Sequence, residues 1–257
     1  MRAIILAAGK GTRISRYLSG KPKCAVDIGE ESLIEYTVNL LLKKNIQDIV
    51  MVVGYHSETI KNILQQYNIK YVINPFYDVT NSIASIWFAK DYLSENKDLL
   101  IMNGDVFIEE SLLDNILLND KSPVLFADSS RKECADYKFK YENGILKKYG
   151  KELYGEDISG EYIGIGRINK EFVREFVSQL EYMISKQNHS VWWENVLYEM
   201  SSQRPIYIEE IGNKFWAEVD YIEDYERILS FRGYSIDFSV NVHKNNIEDE
   251  EKNSAIR

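Results

Sequence analysis

Short apolar runs alternate with amphipathic segments along the first hundred residues, an order that leaves few architectures open. Ala3-Ile4-Ile5-Leu6 stops at Ala7-Ala8-Gly9 and reads as a buried central strand feeding a loop. A helix is predicted from Ser32, whose hydroxyl can cap it while Glu35 reaches back, with Leu33, Ile34, Val38, Leu41 and Leu42 as its apolar stripe. Asp48 to Gly54 holds a second β-rich run, Ile60, Ile63, Leu64 and Tyr67 mark a second helix, and Tyr71-Val72-Ile73 is a third strand. The order β-α-β-α-β implies parallel pairing, right-handed crossovers and helices on both faces of one sheet.

A third helix carries Ile83, Ile86 and Trp87, and Leu99-Leu100-Ile101-Met102 forms a fourth strand ending at Asn103-Gly104-Asp105. From about residue 123 to 168 the pattern changes to strands, with a hairpin at Asn143-Gly144, where positive φ is cheap. This region reads as an antiparallel extension over the core sheet. Helical patterns return at Glu171 to Ile184 and Val191 to Met200, followed by strands near 206–208 and 215–219 and a last helix near Asp220. No Pro/Gly/Ser-rich linker divides the chain. Residues 1–240 are therefore expected to form one domain, with 241–257 a polar, mobile tail.

The loop Leu6-Ala7-Ala8-Gly9-Lys10-Gly11-Thr12-Arg13 sets two glycines and small residues directly after the first strand, where phosphate oxygens can approach main-chain N–H groups. It is not Gly-x-Gly-x-x-Gly, because position 14 is Ile, and Gly-x-x-x-x-Gly-Lys-Ser/Thr is absent. Charge around the loop matters more. The chain holds 31 Lys plus Arg against 40 Asp plus Glu, a net charge of -9 and the wrong sign for general nucleic-acid binding. Yet Arg2, Lys10, Arg13, Arg16, Lys21 and Lys23 all precede the first acid, Asp27. Two fixed cations, Arg13 and Lys23, can neutralise a triphosphate and the charge that develops at its α-phosphorus. A glycine-rich turn with surface bases is the alternative that these residues leave open.

Cys24 and Cys134 form no CxxC pair, which argues against a disulfide framework or a cysteine zinc site and suits a reducing cytoplasm. No apolar run approaches the ~20 residues of a membrane span. His56, His189 and His243 lack metal-ligand spacing, and no nucleophilic triad suggests itself.

The string from Ala3 to Arg13, followed by Pro22-Lys23, resembles the signature of nucleotidyltransferases that make activated sugars and alcohols from an NTP and a phosphomonoester. The resemblance covers most of residues 1–232, with Asn103-Gly104-Asp105 at the expected strand end and Glu218-Val219-Asp220 near the C-terminus. It implies an α/β fold, a Rossmann-like three-layer αβα mixed sheet of the nucleotide-diphospho-sugar transferase type, with a small antiparallel β insertion that binds the acceptor. It further implies that Leu6, Ala7, Ala8, Gly9, Gly11 and Thr12 bind the nucleotide and that Lys23 and Arg13 are catalytic. Asp105, also nucleotide-binding, would pair with Asp220 to hold Mg²⁺. Alone, each Asp reads as a helix cap or turn residue. One departure is visible: Ile14-Ser15-Arg16 lacks the proline of the Arg-Leu-x-Pro stretch that many sugar nucleotidyltransferases carry.

Within that family, the segment from Asn74 to Trp87, with Thr80-Asn81-Ser82-Ile83-Ala84-Ser85 in it, is similar to a stretch of the cytidylyltransferases that activate phosphocholine or aminoethylphosphonate, with Ser82 where they carry a second Asn. This implies base recognition by Asn81 and Ser85; a helix cap is the other reading of Asn81. Trp192-Trp193-Glu194-Asn195 resembles the aromatic-plus-acid segment near their acceptor, where an ammonium group is drawn to an indole face and a carboxylate. Adjacent tryptophans on a helix point about 100° apart, so at most one is expected to face the ligand. Tyr162, Glu161 and Trp216 are further acceptor-site candidates.

The expected protein is a cytoplasmic, Mg²⁺-dependent cytidylyltransferase, monomer or homodimer, acting on CTP and a small phosphorylated or phosphonylated amino alcohol. Neither nucleic acid nor membrane is expected as a partner. A sugar-1-phosphate nucleotidyltransferase using UTP, dTTP, CTP or GTP is the first rival. A non-catalytic nucleotide-binding regulator is the second, but it has no need of Lys23, Asp105 and Asp220 together.

Overall fold

Every residue of β1 (Arg2–Ala7) and β2 (Ile49–Val53) is buried, so these strands carry apolar side chains on both faces rather than alternating. The computed structural model describes residues 1–11, 20–93, 96–132 and 135–234. Thr12, Arg13, Cys134 and the 241–257 tail lie outside the described residues.

Between the first two strands runs α1 (Leu33–Lys43), and α2 (Ser57–Ile63) leads to β3 (Ile69–Ile73). Ser32 caps α1 by accepting from the Glu35 N–H at 3.3 Å, while the Glu35 carboxylate turns to the Tyr67 hydroxyl and Gln66 amide. After α3 (Ser82–Phe88) come β4 (Leu99–Asn103), the short β5 (Val106–Ile108), α4 (Glu110–Leu118) and β6 (Val124–Asp128). The next strands are β7 (Lys138–Glu142), β8 (Ile145–Gly150) and β9 (Gly160–Ile168). Helices α5 (Lys170–Ser185) and α6 (Asn195–Met200), strands β10 (Tyr207–Glu210) and β11 (Trp216–Glu218), and α7 (Ile222–Phe231) complete the chain.

Nine strands form one sheet in the order β3-β2-β1-β4-β9-β6-β10-β8-β7. The first four pair in parallel, as the β-α-β order requires, and β9 then joins antiparallel to β4. The strands expected to lie over the sheet are instead built into it. β7 also pairs with β9, so this half of the sheet curls back on itself. Asn143 and Gly144, at φ 51° and 69°, make the tight β7–β8 turn in the left-handed conformation its sequence calls for.

Alternate residues of β1, β2 and β4 feed two separate cores. Ile4, Leu6, Val50, Val52, Leu99 and Ile101 pack with α3, α5 and α6 on one face. Ala3, Ile5, Met51, Val53, Leu100 and Met102 pack with α1, α2 and α4 on the other, giving the three layers. A third cluster, Val26, Ile28, Leu33, Phe107, Ala217, Val219 and Ile228, lies under a two-stranded antiparallel ribbon of β5 and β11. Among the described residues, no helix is long and apolar enough to cross a membrane.

Candidate active site

One cavity of about 370 Å³ opens at the carboxyl ends of β1 and β4, the edge at which open α/β sheets gather ligands. Leu6, Ala7, Ala8, Gly9 and Gly11 line it. A Cβ on Gly9 would meet nothing within 4 Å among the described residues. Gly11 is constrained differently. Its φ is +64°, and a Cβ there would stand 2.3 Å from Cγ of Lys23, so the lysine stem lies where only glycine leaves room.

Lys23 opens a single 3₁₀ turn, Lys23–Ala25, set by Pro22. Its ammonium contacts the Asp220 carboxylate and lies 3.6 Å from that of Asp105. The two aspartates are remote in sequence, and the β5–β11 ribbon joins them. Glu218 pairs with Val106 across the ribbon, and the Val219 N–H donates to the Asp105 carbonyl at 2.9 Å. Asp105, Glu218 and Asp220 thereby offer carboxylate oxygens all within 4.8 Å of one another. Hard oxygen donors in such a group fit a magnesium ion. Glu218 is an addition: its Glu218-Val219-Asp220 spacing, period two along an extended segment, was the available signal.

Burial opposes the charge on Lys23, but Asp105 and Asp220 outweigh it and hold the ammonium charged beyond its ordinary range. Burial pushes the Asp105 carboxyl up against the pull of Lys23. Glu218 rises well above the carboxylate range, through burial first and the neighbouring Asp105 and Asp220 next. The buried Cys24 thiol is pushed up to about 12, which leaves it a poor nucleophile.

Asn81 and Ser85 both line the cavity, on α3. Asn81 is the N-cap, its Oδ1 accepting from the Ser82 N–H at 2.7 Å. Ser85 accepts from Nδ2 of Asn74 at 3.1 Å. Asn74 is itself buried and in the lining, though the sequence reading did not single it out. Ser82, in the position of the expected second Asn, accepts from the Trp193 N–H at 2.8 Å and so ties α3 to the segment before α6.

That segment sorts its two tryptophans. Trp192, 39 % exposed, lines the cavity with its ring 5.3 Å from that of Tyr137 and 5.4 Å from the Lys151 ammonium. Trp193 belongs to the core, which corrects its place among the acceptor candidates. It is fully buried, and it fills the space that a side chain on Gly166 would need. The helix expected from Val191 begins only at Asn195, and Trp193 and Glu194 lie in a turn before it. Trp216 is likewise corrected: it lies outside the cavity lining, and its indole N–H donates to the buried Asp128 carboxylate at 2.8 Å.

Tyr162, Glu161 and Glu194 do reach the cavity, joined by Tyr137 and Tyr198, which the sequence reading missed. Glu161 accepts from the Asp136 N–H at 2.8 Å and pairs with Arg131 at 3.2 Å, yet burial still raises its carboxyl. Glu194 has no cation partner of this kind among the described residues, and burial pushes it up to about 7. Burial also lifts the Tyr162 and Tyr198 hydroxyls well above their ordinary value.

A cavity at the carboxyl edge of the sheet's parallel half, a glycine loop, a buried lysine and a carboxylate trio form an arrangement suited to nucleotidyl transfer. The MobA-like NTP transferase domain model matches residues 3–153, more than half of the chain, and the protein belongs to that family of nucleotidyltransferases. Over 88 % of its length the chain is 27 % identical to the CTP:phosphoglutamine cytidylyltransferase of Campylobacter jejuni, covering 98 % of it. Over 89 % it is 26 % identical to the choline-phosphate cytidylyltransferase of Streptococcus pneumoniae, covering 96 %. The solved CTP:phosphocholine cytidylyltransferase from Streptococcus pneumoniae matches with a TM-score of 0.75 at 24 % identity, over 90 % of this chain and 98 % of that one. The inositol-1-phosphate CTP transferase from T. maritima matches at 0.75 and 19 %, over 91 % and 98 %. These likenesses fix the fold as that of the nucleotide-diphospho-sugar transferases.

Proposed function

We propose that the protein transfers CMP from CTP to a small phospho- or phosphono-amino alcohol, such as phosphocholine, phosphoethanolamine or 2-aminoethylphosphonate, with release of pyrophosphate. The observation that carries this reading is the continuity of one cavity, which runs from the glycine loop and Lys23 to Tyr137, Tyr162, Trp192 and Glu194. Relatives named for CTP and for phosphocholine or phosphoglutamine support it.

An oxygen of the acceptor's phosphate or phosphonate attacks the α-phosphorus in line, and the bond to the departing pyrophosphate breaks. The main chain of Leu6 to Gly11 cradles the phosphates, with Arg13, beyond the described residues, assigned to the β- and γ-phosphates. Lys23 places a fixed positive charge at the transferred group and steers the attacking anion. Asn81 and Ser85 recognise the base, and Asn74 holds Ser85 in place. Asp105, Glu218 and Asp220 would hold Mg²⁺, which when bound supplies charge neutralisation at the phosphoryl group. Trp192, Tyr162, Glu161 and Glu194 receive the acceptor's cationic head.

The test is pyrophosphate release with each of four NTPs against phosphocholine, phosphoethanolamine, 2-aminoethylphosphonate, phosphoglutamine and several sugar 1-phosphates, all with Mg²⁺. Turnover with CTP and an amino alcohol is expected. Turnover only with UTP or dTTP and a sugar phosphate would replace this reading with a sugar-1-phosphate nucleotidyltransferase.

A further inference from the structure

We propose that the acceptor's cationic nitrogen bears hydrogens, a primary ammonium, and that Glu194 selects it over a quaternary ammonium. This rests on the amino-alcohol reading above. Glu194 is 3 % exposed and lines the cavity, and its Oε2 has no hydrogen-bond partner among the described residues. The hydroxyls of Tyr162 and Tyr198, buried in the same lining, also lack one. The Tyr162 hydroxyl neighbours Glu194 and the Tyr198 hydroxyl neighbours Tyr137, yet among the described residues none of these three buried atoms completes a well-formed hydrogen bond, so acceptor capacity on this wall is left unfilled.

Cations elsewhere in this wall are engaged. Lys151 pairs with Asp136 at 2.7 Å, and Arg131 with Glu161 at 3.2 Å. Among the described residues no unengaged cation faces Glu194, so the carboxyl that burial keeps protonated can ionise against a positive charge brought by the ligand.

Two kinds of ammonium could bring it, and they differ in what they do for these oxygens. A trimethylammonium is held by ring faces and by charge, but it has no N–H to donate and would seal the unpaired oxygens away from water. An –NH₃⁺ group has three donors, enough for the carboxylate and both hydroxyls, and its bond to Glu194 is charge-assisted. A site built around hydrogen-bond acceptors rejects a ligand that cannot satisfy them far more strongly than an apolar pocket rejects a change of one methyl group.

The experiment uses the full chain with CTP and Mg²⁺ and compares kcat/KM for phosphoethanolamine with phosphocholine, and for 2-aminoethylphosphonate with its N-trimethyl analogue. A preference of about tenfold or more for the primary amine, carried mainly by KM, is expected in both pairs. Glu194→Gln should bring the ratio close to one by raising KM for the primary amines, with KM for CTP unchanged. Tyr198→Phe keeps the ring and should reduce the ratio part of the way. Equal or better use of the quaternary acceptors by the wild type overturns the inference and leaves cytidylyl transfer to amino alcohols standing. Retention of the preference in Glu194→Gln overturns the role of Glu194. Turnover of sugar 1-phosphates without any amine acceptor overturns both readings. If Glu194→Gln does not fold, the wild-type ratios alone decide between the two kinds of head group.

Discussion

Two acidic sites share one cavity and are balanced in opposite ways. At the β5–β11 ribbon, Asp105, Glu218 and Asp220 crowd together around the ammonium of Lys23, so the protein supplies its own counter-charge. At the turn before α6, Glu194 is more deeply buried, and no cation among the described residues is paired with it. The contrast teaches what each site awaits. On the proposed function, the first is organised before any ligand enters and would exchange partners to take up a metal, and the second would be completed by the ligand.

The largest effect expected from breaking the contrast is catalytic. Asp220→Ala should lower turnover about 10²- to 10³-fold. Its melting temperature should stay near that of the wild type, because one of three mutually repelling carboxylates is gone. Near-normal steady-state rates in that variant would remove Asp220 from the machinery.

Next comes the unbalanced site. Glu194 rises from 4.5 in the unfolded chain to about 7 when folded, so the folded state holds a proton that the unfolded state has lost. Stability should fall as pH rises from about 4.5 through 7, by up to about 3 kcal/mol in the absence of ligand. Glu194→Gln should flatten that part of the profile in denaturant titrations at pH 5 and pH 8. An unchanged slope would mean that Glu194 is not the isolated charge described.

A smaller effect is expected at the joint between loop and lysine. Gly11→Ala forces a side chain into the Lys23 stem at a φ of +64°, and should cost about tenfold or more in kcat by displacing the ammonium. The smallest lies at Asp48, a carboxylate remote from the cavity. Burial opposes its charge, but hydrogen bonds from Arg2, Lys70 and Lys97 hold it well below the usual range. Asp48→Asn should cost about 1 kcal/mol of stability near neutral pH and leave kcat unchanged. The wild type's share of that stability, present above the carboxylate's unfolded value, should be lost as pH falls below it.

The sequence carried the parallel half of the sheet well, because β1, β2 and β4 are buried on both faces and announce themselves as apolar runs. The curl from β9 to β7 was less legible: which strand pairs with which is a long-range choice, and local pattern shows only that strands are present. The same limit hid the meeting of Asp105 and Asp220, which depends on the β5–β11 register and was implied by the family resemblance alone. Trp193 was misplaced for a different reason. Its type suits either a ring over a ligand or a filled core, and only the missing side chain of Gly166 in β9 decides for the core. Tyr137 and Tyr198 sit in no recognised string, so their approach to the cavity had no sequence signal apart from being amphipathic, and Asn74 opens the segment that resembles the cytidylyltransferases but lies outside the part of it to which a role carried over.

The ribbon also sets a schedule for synthesis. The first strands and their helices can pair while the rest of the chain is still being made, but β5 has no partner until β11 has been translated. A nascent chain can therefore hold β1 and the start of its glycine loop in place and still lack Glu218 and Asp220. Competence to react would arrive late and abruptly on the ribosome, with the closing of a single long loop.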